Sequence, residues 1–274
     1  MRKPRMVFIS VWMLALVLFA GCSDTKRLAQ KENASSSVQE SDLAVQEREE
    51  DMEENIFVEK PETETASLEP GPAVLLYQGQ ASIRVVTDEG KVIYIDPYAG
   101  DSYDLSADLI LVTHSHFDHS QIDKVKNRNE DCKIITYREA IRNGEHHVFD
   151  LGYVTVEAVE AGYNSLHDVS DCVGYVLTFS NGKSIYVAGD TSKTDQMAHM
   201  NEMEIDYAFF CCDGVYNMGV EEAAECAELV GAKHNIPYHM TTTTTGRQFD
   251  WELAEQFDVD NCLIVEDGEQ IIIE

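Results

Sequence analysis

The sequence predicts an α/β fold in which two β-sheets pack face to face between helices. Strand patterns come first as hairpins and later alternate with helical patterns, an order that favours such a sandwich. The uninterrupted apolar run Leu109–Val112 is typical of a strand buried on both faces. A chain of 274 residues, 44% hydrophobic and 26% charged, can bury the core that this fold needs.

Eight segments carry the strand pattern of alternating or continuous apolar residues. They are Val74–Tyr77, Ser82–Val86, Val92–Ile95, Leu109–Val112, Lys133–Thr136, Val154–Val159, Val173–Phe179 and Ser184–Ala188. Two connections are predicted hairpin turns, because Asp88-Glu89-Gly90 and Asn181-Gly182 are typical turn sequences. These strands would supply the two sheets.

The clearest helical pattern lies in the last quarter of the chain. Its apolar residues recur at the spacing of one helix face, and Gly231 ends the pattern. These residues are Val220, Ala223, Ala224, Ala227 and Val230. Helical patterns also cover Thr191–Met203 and Trp251–Phe257.

The amino-terminal segment predicts export from the cytoplasm. Arg2, Lys3 and Arg5 precede an apolar run over residues 6–21, which is too short to span a bilayer. The residues that end at Cys22 resemble a bacterial lipoprotein cleavage box, so residues 1–21 are predicted to be a lipoprotein signal peptide and Cys22 its lipidation site. An ordinary signal peptide and an uncleaved anchor are the alternatives. All three interpretations place the protein outside the cytoplasm, and the lipoprotein interpretation anchors it to the bacterial cell membrane by lipid.

Residues 22–72 predict an acidic, disordered tether before a globular domain at residues 73–274. The tether holds few large apolar residues and many glutamates, so it cannot bury enough surface to offset the entropy of ordering. A short solvated helix over Val45–Glu54 is the alternative for part of it. The whole chain has 50 acidic and 20 basic residues, a formal net charge of -30, which disfavours a nucleic-acid partner.

The residues that carry chemistry follow the buried strand directly, in Thr113-His114-Ser115-His116-Phe117-Asp118-His119. In an extended chain, His114 and His116 point to one side and can share a metal ion. If the chain then turns into a helix, Asp118 and His119 project toward a second point nearby. Imidazole and carboxylate without thiolate suit zinc, and also iron or manganese. Burial of these groups without a partner would be costly, which argues against ordinary surface residues.

Two further candidate ligands end later apolar segments. Asp190 follows Tyr186-Val187-Ala188-Gly189, where its carboxylate could bridge two metal ions, and helix capping is the alternative. His239 follows Asn235-Ile236-Pro237-Tyr238, and a hydrogen-bonded core histidine is the alternative.

These motifs resemble those of the metallo-β-lactamase superfamily. The matching residues are His114-Ser115-His116-Phe117-Asp118-His119, Gly189-Asp190-Thr191, His239 and the turn Ile95-Asp96-Pro97. The resemblance implies an αβ/βα four-layer sandwich with a dinuclear metal site at one edge. It implies that His114 and His116 bind the first metal, that Asp118, His119 and His239 bind the second, and that Asp190 bridges them.

The sequence departs from the family pattern at two places. Asn164 stands where a family histidine is expected, and His167, three residues later, is predicted to complete the first site; a solvent-facing loop histidine is the alternative. Gln80 replaces the histidine of the family's Gly-His-Ala-Ser stretch, which would alter substrate contacts rather than the metals. Tyr163, Asp213 and Tyr216 are candidate pocket residues, since they lie in loops near strand ends.

The resemblance implies a metal-dependent hydrolase whose nearest likeness is to the lactonase-like branch. Two divalent ions, Zn²⁺ by preference with Mn²⁺ or Fe²⁺ as alternatives, would activate hydroxide against an ester, lactone, amide or phosphoester of a small molecule. Asp118 or Asp190 would orient that hydroxide as the catalytic carboxylate. A non-catalytic surface lipoprotein that binds a metal or ligand is the main alternative, and an iron oxidoreductase that uses the same ligands is a third.

Overall fold

The computed structural model describes residues 70–242 and 249–274. The predicted signal peptide, Cys22 and all but the last residues of the predicted tether lie outside the described residues. Within those residues, no helix is both long and apolar enough to cross a membrane.

Six strands form the first sheet, in the spatial order β14-β1-β2-β3-β4-β5. Their bounds are β1 (Ala73–Gly79), β2 (Ser82–Val86), β3 (Val92–Ile95), β4 (Ala107–Val112), β5 (Arg128–Thr136) and β14 (Gln270–Ile273). The sheet is antiparallel from β14 to β3 and parallel from β3 to β5. β14 is not among the predicted strands, and its antiparallel pairing with β1 joins residues far apart in the sequence.

The second sheet repeats this plan in the order β13-β12-β11-β10-β9-β8. Its strands are β8 (Val148–Asp150), β9 (Val154–Glu160), β10 (Val173–Phe179), β11 (Ser184–Val187), β12 (Tyr207–Cys211) and β13 (His234–Tyr238). The sheet is antiparallel from β8 to β11 and parallel from β11 to β13. A small hairpin of β6 (Ile141–Arg142) and β7 (Glu145–His146) stands apart. Each of the eight predicted strands is therefore confirmed.

Helices are few and short in the described residues. They are α1 (Tyr137–Ala140), α2 (Val220–Val230) and α3 (Trp251–Ala254), with 3₁₀ turns at Ile122–Lys124 and Gln196–Met203. α2 begins and ends as predicted, and Gly231 takes the left-handed conformation at its end with φ 65°. The predicted helices over 191–203 and 251–257 are too long. Thr191 forms a β-bridge with Gly162, so the chain stays extended there and no helix can start at that residue.

The main hydrophobic core lies between the two sheets. Leu75 and Leu109 of the first sheet are fully buried in one cluster with Tyr175 and Phe209 of the second. Burial of each such side chain contributes roughly 1.5–3 kcal/mol. The Tyr175 hydroxyl also donates to the Val112 carbonyl at the end of β4, at 3.0 Å. The predicted α/β sandwich is thus confirmed, and the Tyr175 hydrogen bond joins the two sheets at the end of β4.

A buried carboxylate, Asp206, is expected to add stability that depends on pH. It lies directly before β12, accepts the Ser184 backbone N–H at 2.9 Å and pairs with Lys233 Nζ at 2.7 Å. Burial opposes its ionisation, but the hydrogen bonds from Lys233 and Ser184 hold its pKa below the ordinary value. Because the folded-state pKa is lowered, this stability is present above the ordinary carboxyl pKa and is lost as pH falls below it.

We therefore expect Asp206→Asn to lower the free energy of unfolding by about 1–3 kcal/mol at neutral pH. Urea unfolding should show the deficit shrinking as the pH falls from the ordinary carboxyl pKa toward the lowered pKa of the wild-type carboxyl. A deficit of the same size at neutral and at acidic pH would contradict the role of the carboxylate charge.

Candidate metal centre

The candidate residues lie where parallel strands of both sheets end. His114 to His119 follow β4, and His239 directly follows β13. Asp190 follows β11, with two residues between the strand end and Asp190. Two backbone hydrogen bonds join these ends across the sheets: Val173 N–H donates to the Thr113 carbonyl, and His239 N–H donates to the Gln80 carbonyl, both at 3.0 Å. The side chains at this edge therefore face one another.

The segment after β4 is a tight turn, not the start of a helix. His119 N–H donates to the His116 carbonyl at 3.1 Å, and the next ordered element is the 3₁₀ turn at Ile122–Lys124. Asp96 at the end of β3 fixes the turn, because its carboxylate accepts the Thr113 N–H at 2.8 Å and the Thr113 hydroxyl at 2.7 Å. The chain therefore does not turn into a helix here, as the sequence analysis had allowed, yet the donor atoms of Asp118 and His119 still meet at a second group.

One group of potential ligand atoms is formed by His114, His116, His167 and Asp190. Their donor atoms all lie within 4.8 Å of one another. His167 Nε2 lies 3.2 Å from Asp190 Oδ2 and 3.2 Å from His116 Nδ1. His167 is buried and reaches this group despite its displaced position in the sequence.

A second group is formed by Asp118, His119 and His239, again within 4.8 Å. Asp190 joins the two groups through its two oxygens. Its Oδ1 lies 3.2 Å from His119 Nε2 and 3.4 Å from His239 Nε2, while its Oδ2 faces His167 and, at 3.9 Å, His114. The Asp190 carboxylate therefore lies between the two groups of donor atoms.

Four of the five histidines have Nδ1 next to an outer group, at hydrogen-bond contact in three of them and at an ion-pair distance in His239. Nδ1 of His119 lies 2.8 Å from Asp96 and that of His239 lies 3.3 Å from Asp213. Nδ1 of His114 lies 3.1 Å from the Thr113 hydroxyl, and Nδ1 of His167 lies 3.0 Å from Asn164 Oδ1. Such contacts are usual for metal-bound histidines, because they orient the ring and leave Nε2 for the ion. His116 differs, since it presents Nδ1 to the group.

The donor atoms fit a metal better than they fit one another. His114 Nε2 and Asp190 Oδ1 are buried and have no hydrogen-bond partner, although other donor and acceptor atoms lie close by. Buried polar atoms without partners are rare and costly. Burial also lowers the pKa of His114 well below its usual value, which favours the neutral ring that binds a metal. The chemistry of these residues therefore fits the binding of divalent metal.

Strong charge coupling surrounds Asp190. Burial opposes its ionisation, but the charges of His239 and His119 hold its pKa well below the usual value. Burial likewise lowers the pKa of His119, but the carboxylates of Asp190 and Asp96 outweigh this effect and raise it to about 10. The buried carboxylates thus demand positive charge at this position, which bound cations would supply.

The two groups face a cavity of about 250 Å³. It is lined by Gln80, His116, Asp118, Leu166, His167, Asp190, Tyr216, His239 and Thr242. Tyr216 thus lines the cavity as the sequence suggested. Asp213 does not line it but lies 3.3 Å from Nδ1 of His239. Tyr163 is exposed and is not among the lining residues.

Two contacts at the site were not predicted. Gln80 Nε2 donates to Asp118 Oδ2 at 3.0 Å and lies 3.0 Å from His239 Nε2, so Gln80 holds the second group rather than only contacting substrate. Asn164 supports His167 instead of replacing it. Both positions were visible in the sequence as departures from the family pattern, but their contacts depend on loop geometry.

Comparison with known proteins agrees with this geometry. A family model described as a beta-lactamase superfamily domain matches residues 75–239. A UPF0173 metal-dependent hydrolase of Geobacillus thermodenitrificans is 32% identical over 194 residues, covering 61% of this chain and 84% of the relative. One of Bacillus thuringiensis is 28% identical over 226 residues, covering 72% of this chain and 98% of the relative.

Solved structures show the same fold. A protein of Parabacteroides distasonis, named as a candidate metal-dependent hydrolase, is 27% identical with a TM-score of 0.57, over 71% of this chain and 93% of that one. A metallo hydrolase of Ignicoccus hospitalis has a TM-score of 0.59 at 20% identity, over 74% and 99% of the two chains. With the fold, the ligand arrangement and the family match together, the chain belongs to the metallo-β-lactamase superfamily.

Proposed function

We propose that this protein holds two divalent metal ions and hydrolyses an ester, lactone, amide or phosphoester bond of a small molecule. It is a metal-dependent hydrolase, as its relatives are named. The observation that carries the two-metal proposal is Asp190, whose oxygens face different groups of ligand atoms. His114, His116 and His167 would hold one ion, and Asp118, His119 and His239 the other.

Bound metal ions would acidify water and polarise the bond to be cleaved, as in other metal-dependent hydrolases. We propose Asp118 rather than Asp190 as the group that orients the attacking water. Burial opposes its ionisation, but the hydrogen bond from His239 and the charge of His119 hold its pKa below the usual range. Gln80 donates to Asp118 Oδ2 and so fixes the carboxylate, which would accept a hydrogen bond from the attacking water and orient it.

The donor set supports Zn²⁺ as the natural ion. Five imidazoles and two carboxylates, without thiolate, suit zinc, and Mn²⁺ or Fe²⁺ accept the same ligands. Metal analysis of the purified protein distinguishes these ions.

We also propose that the hydrolase is attached to the outer face of the bacterial cell membrane through lipid on Cys22, with residues 22–72 as a tether. The sequence before residue 73 supports this location, since a charged and then apolar segment precedes Cys22. Incorporation of labelled palmitate by the wild type, and its loss in Cys22→Ser, would test the attachment.

Metal removal is expected to abolish hydrolysis reversibly. Dialysis against a chelator should remove about two ions per chain and all turnover of lactone and phosphodiester panels, and added Zn²⁺ should restore both together. Circular dichroism of the dialysed protein would show that the fold survives. A protein that binds two ions yet cleaves nothing in the panels would favour a non-catalytic metal-binding lipoprotein, and turnover without metal would reject the mechanism.

A further inference from the structure

Six exposed apolar side chains lie in the three loops next to the candidate metal centre, and Leu166 and Tyr216 line its cavity. Among the described residues, ten large apolar side chains are exposed, and six of them lie in three loops at this edge, residues 113–121, 161–172 and 212–219. We call these six the apolar rim: Phe117, Tyr163, Leu166, Val169, Val215 and Tyr216. Scattered exposure needs no explanation, but a cluster around a cavity marks a binding surface.

The apolar rim continues into the cavity. Leu166 and Tyr216 line it together with the ligands Asp118, His116 and Asp190, yet Leu166 remains 51% exposed. A molecule whose reacting bond lies at the metal centre would therefore extend directly over these two side chains. Apolar groups in such a position bind an apolar part of a ligand.

Two outer residues fix the apolar rim and the ligands at once. Asn164 Oδ1 accepts the Leu166 N–H at 3.0 Å and also contacts His167 Nδ1. Asp213 Oδ1 accepts the Tyr216 N–H at 2.7 Å, while its Oδ2 faces His239. The same contacts that orient His167 and His239 therefore also hold Leu166 and Tyr216 in place. This favours a bound molecule that contacts both the metal-binding residues and the apolar rim.

The electrostatics of the cavity disfavour an anionic substituent. Among its described lining residues there is no lysine or arginine. The chain carries a formal net charge of -30, which repels anions at a distance. A carboxylate or phosphate away from the reacting bond would therefore find no described counter-ion in the cavity.

We propose, on the basis of the hydrolase function above, that the substrate is an uncharged carbonyl compound with an alkyl or aryl substituent that lies on the apolar rim. The carbonyl would face the metal centre, and Leu166 and Tyr216 would contact the substituent. The apolar rim thereby selects neutral, apolar esters, lactones or amides over anionic ones.

Alkyl hydroxamates test this proposal without relying on turnover, because the hydroxamate group chelates metal ions. Calorimetry of the zinc-loaded protein should show Kd falling by about tenfold or more from acetohydroxamate to octanohydroxamate, as added methylenes are buried. Succinic monohydroxamate, which carries a carboxylate, should bind more weakly than butanohydroxamate.

The double variant Leu166→Ser, Tyr216→Ser should lose most of this dependence on chain length while it keeps acetohydroxamate affinity and zinc content. Val148→Ser is the matched control, since Val148 is 59% exposed on β8 outside the three loops of the apolar rim. Equal affinity for all chain lengths would overturn the proposal and leave the hydrolase function standing. Failure of every hydroxamate to bind would count against the metal centre itself. Binding of neutral phosphatidylcholine vesicles through the apolar rim, with no chain-length effect, would assign it to a lipid surface instead.

Discussion

Asp190→Ala is expected to reduce hydrolysis by about a thousandfold or more and to leave fewer than two metal ions per chain. Asp190 is the residue whose oxygens face both ligand groups, at 3.2 Å from His119 Nε2 and 3.2 Å from His167 Nε2. Without it, the five imidazoles of the two groups would have one carboxylate fewer to balance the two proposed cations. Loss of several kcal/mol of metal-centred stabilisation corresponds to that rate reduction.

Metal content by mass spectrometry and turnover on the same sample are the measurements for this variant. Asp131→Ala is its control, because Asp131 is an exposed carboxylate on β5. The control should keep two ions and full activity. Two tightly bound ions in Asp190→Ala would show that Asp190 does not bridge the centre. Circular dichroism must show the fold intact, so that lost activity reflects the site.

The sequence predicted the members of the site better than their supports. His114, His116 and Asp118 come from one short motif after a buried strand, and the ends of parallel strands meet at one edge. The same rule predicts that Asp190 and His239 lie at this edge, and Asp190 Oδ1 is 3.4 Å from His239 Nε2. The structure brings these side chains together, and their service as metal ligands remains a prediction for the experiments above.

Loop geometry explains where sequence reasoning fell short. Nothing in the spacing shows that Asn164 accepts hydrogen bonds from two backbone N–H groups and so turns His167 inward. Gln80 takes a left-handed backbone conformation with φ 52°, which directs its amide to Asp118, and single-sequence patterns do not reveal such a turn. The helix that the sequence allowed at Asp118 and His119 does not form, and His119 N–H instead closes a turn on the His116 carbonyl.

Asp96→Asn is expected to weaken zinc binding by about 10- to 100-fold and to lower the free energy of unfolding by about 2–4 kcal/mol. Asp96 is fully buried, and one oxygen, Oδ2, lies 2.8 Å from His119 Nδ1 and accepts the Thr113 hydroxyl. An amide NH₂ at that position cannot accept from either group. His119 would then favour the tautomer with its proton on Nε2, the atom that faces the metal centre.

Competition with a zinc-binding dye would measure the affinity, and urea unfolding the stability. Asp108→Asn separates the two effects, because Asp108 is also largely buried and accepts the Val92 N–H at 2.9 Å, in the first sheet and outside both ligand groups. It should lose stability and keep zinc affinity. If both variants weaken zinc binding equally, the loss at Asp96 reflects general destabilisation, and Asp96 does not set the tautomer of His119. A loss of zinc affinity in Asp96→Asn alone would instead show that Asp96 supports metal binding through its contact with His119.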